Sequence, residues 1–141
     1  MHENKIYYIT YEEAKKIINT LSQKEDTHIV VLDGNKIKNW KEYITQIKKE
    51  FNLPYLEDNN YDGYADYMTD LDWLGKEAYA LFIINYDEFM CKDIVKKKLV
   101  MDIFLNQVLF WWGKDVEIHC VGGKSKEFNV YLINDYHVKH R

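Results

Sequence analysis

Two almost wholly apolar runs, HIVVL at residues 28–32 and YALFII at residues 79–84, constrain this chain more than any other feature. A strand with one wet face alternates apolar and polar residues. A run that is apolar at nearly every position is a strand covered on both sides, as in parallel sheets flanked by helices. VEIHCV at 116–121 reads as a third inner strand, EFNVYLIN at 127–134 as a further strand, and KIYYIT at 5–10 as a short N-terminal one. The intervals between them carry helical periodicity. Thr10-Tyr11-Glu12-Glu13 is a capping-box pattern followed by Ala14, Ile17, Ile18 and Leu21 at helical spacing. Residues 40–51 place Trp40, Tyr43, Ile44, Ile47 and Phe51 on one side, and Pro54 ends that helix. Residues 96–113 form a long helix that is apolar almost all round, so the sheet is expected to cover one side and a terminal addition another. Strands alternating with helices predict an α/β fold.

A chain of 141 residues without internal repeat or linker is expected to be a single domain over residues 1–141. Hydrophobic content of 47% argues against disorder, and a net charge of -4 disfavours nucleic acid or an anionic membrane as a direct partner. No N-terminal apolar run suggests a signal peptide, and Asp102, Asn106 and Gln107 interrupt the longest apolar stretch. Cys91 and Cys120 lie far apart and read as small buried residues in a reducing compartment. The expectation is a soluble cytoplasmic protein.

The charge is unevenly spread. Between Phe51 and Gly75 stand Glu57, Asp58, Asp62, Asp66, Asp70 and Asp72 with no Lys or Arg, a local charge of -6 within a chain of -4. Asp58, Asn60, Asp62 and Gly63 fit the first six positions of a calcium loop, and Asp66 falls at the ninth. The twelfth position is Thr69 where a bidentate carboxylate is required, and Pro54 breaks the helix that should lead in. A single-loop calcium site around Asp58–Asp66 is therefore the alternative. A helix accounts for the same residues better: Asn60 caps it, Tyr61 starts it, and Asp62, Asp66 and Asp70 form a row at four-residue spacing. Such a row is either a solvated face or a surface that docks on a basic site of another macromolecule.

With these residues the sequence resembles the barstar family, intracellular inhibitors of a secreted bacterial ribonuclease. DGNKIKNWKEYITQIKKEFNLP at 33–54 is similar to the family's turn, helix and Leu-Pro step, and NYDGYADYMT at 60–69 resembles its recognition helix, N-x-D-x-x-x-D-x-x-T. Trp73 sits close to a family tryptophan, and the resemblance spans residues 28–121, leaving 1–27 and 122–141 as additions. It implies a small, mainly parallel sheet of three core strands packed by helices, here with an added N-terminal strand–helix and a C-terminal strand. It further implies an immunity protein, not an enzyme and without cofactor, that blocks a basic ribonuclease or other toxin nuclease. Asp62 and Asp66 match the family's two partner-binding aspartates, Asp66 being the one that takes the place of an RNA phosphate. Asn60, Tyr61, Ala65 and Thr69 match flanking interface positions, and Asp70 extends the acidic row. Ala65 stands where the family commonly has a tryptophan, and residues 106–112 (NQVLFWW) hold no acid where the family supplies one. A scaffold of this kind with a non-nuclease partner is the other alternative.

Gly122-Gly123-Lys124-Ser125 lacks the first glycine of a phosphate-binding loop, whose place is taken by Ile118. His119 and Cys120, adjacent on an expected strand, point to opposite faces and form no catalytic pair. His137 and His140 lie in a terminal tail and read as solvated.

Overall fold

A computed structural model describes residues 3–134. Four strands, β1 (Ile6–Ile9), β2 (Thr27–Asp33), β3 (Ala78–Ile84) and β4 (Glu127–Ile133), form one sheet in the order β1-β4-β3-β2. Every neighbouring pair is parallel. The chain crosses from β1 at one edge to β2 at the other through α1 (Tyr11–Leu21), whose Thr10–Glu13 capping box is formed as the sequence predicts. It returns through α2 (Trp40–Glu50) and α3 (Tyr61–Met68) to β3, then through a long helical segment to β4.

Alternation along the strands divides the interior into two layers. Val30, Leu81 and Val130, in register across the sheet, face a large core shared with α2, α3 and the long segment. Phe82 and Tyr131 face the other way, stacked at 4.5 Å, toward Ala14 and Leu21 of α1. Asn4 extends the β1–β4 pairing: its amide donates to the Lys126 carbonyl, and its carbonyl oxygen accepts from the Phe128 N–H.

The inner strands are β4 and β3, with β2 at an edge, and residues 116–121 are not a strand. Val116–His119 is instead a helical turn, α5, and Val121 is fully exposed. Both segments carry enough apolar residues for a strand. The central slot goes to EFNVYLI, in which the six residues after Glu127 are all buried, whereas VEIHCV offers only Val116. The first strand also found a role that local pattern does not reveal, since β1 is the edge neighbour of β4.

The long segment comprises α4 (Ile94–Ile103), two π-helical stretches (Phe104–Val108 and Trp111–Asp115) and α5. Val100, Phe104, Val108, Trp112 and Val116 recur every four residues, and all are buried. At the ordinary 3.6 residues per turn such a stripe would drift around the axis, and the wider i→i+5 turns counter that drift. One face is thus enough for these residues. Among the described residues the expected second cover is absent from this segment: α1 lies across the sheet, and Leu105, Phe110 and Ile118 are exposed. No helix among the described residues is long and apolar enough to cross a membrane.

Candidate functional site: the acidic face of α3

The stretch from Asp58 to Met68 builds a helix start, not a wrapped cation loop. Asn60 Oδ1 accepts the Gly63 N–H at 2.8 Å, the N-cap bond that the spacing predicts. A Cβ on Gly63 would lie 2.6 Å from Asn60 Nδ2 and 2.8 Å from Leu56 Cδ1, so the cap needs a glycine here. The first carboxylate of the calcium pattern is already engaged: Asp58 accepts from Lys48 at 2.6 Å and pairs with Lys41 at 3.1 Å. These two hydrogen-bonded ammonium groups, Lys48 foremost, hold the Asp58 carboxyl below the usual carboxylate range.

Tyr64, Ala65 and Met68 turn inward, and Leu71 beyond the helix joins them in the core. The Tyr64 hydroxyl meets that of Tyr43 at 2.6 Å, fully enclosed. Three indoles tether the surroundings of the helix. Trp40 donates to the Asp58 carbonyl before it, Trp112 to the Met68 carbonyl at its end, and Trp73 to the Phe51 carbonyl beneath. Thr69 closes α3, its hydroxyl donating to the carbonyls of Ala65 and Asp66. Leu71 then adopts left-handed backbone (φ 57°), a conformation costing a β-carbon-bearing residue roughly 1–2 kcal/mol and here held by complete burial.

Asp62 and Asp66 stand one turn apart on the exposed side of α3. Among the described residues neither has a cation within ion-pair distance, nor do Glu57, Asp70 and Asp72, so Asp58 alone of the six acids is neutralised locally. Asp70 is also exposed but has left the helix, which ends at Met68, and its carboxylate accepts the Asp72 N–H. The expected row of three is therefore a helical pair followed by a turn residue. Tyr61 lies against Trp40 at 4.7 Å with the Lys96 ammonium over its ring, and is only partly open. Ala65, 7% exposed, belongs to the core and offers almost no surface outward.

The structure adds two residues that sequence reasoning passed over, Tyr55 and Tyr67. Tyr55, Glu57 and Tyr67 join Asp66 around an open cleft of about 410 Å³, with Gly63 in its lining. Tyr55 is 85% exposed, and its carbonyl accepts from the Tyr67 hydroxyl. Their only sequence signal is proximity to the Leu-Pro step and to the acids.

A stiff helix that displays unpaired carboxylates one turn apart, entered from a turn, a lysine-bearing helix and a Leu-Pro step, is the arrangement the resemblance implies. A family model described as Barstar (barnase inhibitor) matches residues 27–122, most of the chain. The chain belongs to the barstar family. No curated protein and no solved structure matches it. The matched stretch runs from the start of β2 to just past α5, so the barstar model takes in α3 with its whole acidic face, while β1, α1 and β4 lie outside it.

Proposed function

We propose that the chain binds and blocks a barnase-like ribonuclease by setting Asp62 and Asp66 into its cationic active site. The observation that carries this reading is the contrast within one short segment: Asp58 is neutralised by Lys41 and Lys48, whereas Asp62 and Asp66 have no cation among the described residues. A ribonuclease cleft must stabilise phosphoryl charge and is lined with cationic side chains. Carboxylates on a tethered helix present negative charge there without offering a bond to cleave. Bringing them out of water is costly, and only close pairing with the partner's cations offsets that cost. The chain acts by occupancy, not by catalysis, and belongs where the nuclease is made, in the cytoplasm.

Purified barnase titrated with the chain, followed by RNA hydrolysis, tests the reading. The expected result is stoichiometric loss of cleavage, with an association rate that falls steeply as salt is raised. Full barnase activity at saturating chain concentration would overturn it.

A further inference from the structure

The sheet has one long open edge. β2 ends the strand order, and its central residues, His28–Leu32, include no acid, lysine or proline. Proteins blunt an edge with a lysine, a proline, a bulge or a very short strand. The opposite edge follows that rule, since β1 has four residues and is preceded by Lys5, whereas β2 runs for seven. We infer that the β2 edge docks a second copy of this chain, the two β2 strands pairing antiparallel about a two-fold axis at Val31.

Backbone direction comes first. The Ala78 N–H donates to the Asp26 carbonyl at 3.1 Å, and Ala78 is the register partner of Thr27. The even-numbered residues of β2 therefore turn their N–H and C=O toward β3. Ile29 and Val31 turn theirs outward, where no described strand lies. Val31 is 47% exposed. A second, narrower cleft of about 200 Å³, lined by Val31, Leu32, Asp33, Lys36, Ile37 and Gln46, opens beside it and leaves this edge accessible.

Charge then selects the register. With Val31 opposite Val31 of the other copy, Asp26 of each copy is level with Lys36 of the other. Both side chains are exposed, and neither has an ion pair among the described residues. Moving the axis to Val30 would set Lys24 level with Lys36, a pair of like charges. The Val31 axis avoids this and joins two exposed valines on the face that carries Ile29 and α1. Two-fold symmetry makes each of these charge contacts twice.

Sedimentation equilibrium of the full chain tests the pairing, with Val31→Lys, Asp26→Lys, Lys36→Asp and the double reversal Asp26→Lys/Lys36→Asp. All three positions are exposed, and a circular-dichroism melt of each variant separates lost pairing from lost fold. The expected species is a dimer of twice the 17.0 kDa protomer mass, populated at about 100 µM. Val31→Lys sets two ammonium groups face to face at the axis, and it and each single reversal should weaken the dimer more than about tenfold. The double reversal should restore it to within about threefold of the wild type, because each copy again offers complementary charges. A wild-type chain that stays monomeric at about 100 µM overturns the inference. So does a dimer indifferent to Val31→Lys, or a double reversal no better than the single ones.

Discussion

The phenolic oxygens of Tyr43 and Tyr64 stand 2.6 Å apart in the closed interior, joining α2 to α3 by a single hydrogen bond. Burial pushes both phenols well up from their ordinary pKa, so both stay protonated and one always donates to the other. Tyr64→Phe is expected to cost about 1–3 kcal/mol, since it strands the Tyr43 hydroxyl without a partner. Removing both hydroxyls should cost less than the two single changes added together. Urea unfolding of the four proteins measures this, and strict additivity would show that the bond does not couple the helices.

Asp66 borders the first cleft and carries no counter-ion among the described residues. Asp66→Ala is expected to weaken binding to barnase by at least about 2 kcal/mol, the general threshold for an interface hot spot, to which the barnase–barstar pair itself contributed. An unchanged dissociation constant would remove Asp66 from the interface.

Asp58 acts on stability instead. Its folded pKa is lowered by Lys48 and Lys41, so its contribution is present above the unfolded value and lost as pH falls through the folded one. That window lies below roughly pH 4. Asp58→Asn should flatten the acid limb of a melting-temperature profile across this window, and a profile parallel to wild type would contradict the assignment.

Gly63 is held by space, not by an unusual backbone. Alanine is the better helix former by roughly 1 kcal/mol, yet its methyl group must displace the Asn60 cap, itself a contribution of about 0.5–2 kcal/mol, and crowd Leu56. Gly63→Ala is expected to be destabilising in the native chain and distinctly less so once Asn60 is already replaced by alanine. Equal penalties in the two backgrounds would mean that the cap is not what the methyl group disturbs.

The site was more legible than the sheet because its determinants are local. The Asn60 cap and the inward set of Tyr64, Ala65 and Met68 follow from helical spacing over ten residues, and the structure reproduces them. The reversal at Leu71, which takes Asp70 off the helix, depends on a core that no local pattern describes. Nor does periodicity point to the lysines at Asp58 or to the indoles of Trp40 and Trp112, which reach across from other elements. Residues 116–121 and 127–133 both qualify as strands by composition, and only competition for the central position separates them. Residues 96–113 read as apolar all round because Leu105 and Phe110 add exposed apolar side chains outside the stripe from Val100 to Val116, which the widened turns keep on one face.

The placement of β4 between β1 and β3 has a consequence for synthesis. The inner strand is the last of the four to leave the ribosome, so until residue 133 has emerged, β1 has no neighbour and β3 pairs only with β2. A nascent chain halted at residue 126 should therefore be readily cut by protease within β3, and resistance there would show that the platform sets without its keystone. Until β4 has emerged, the sheet beneath α3 is therefore incomplete.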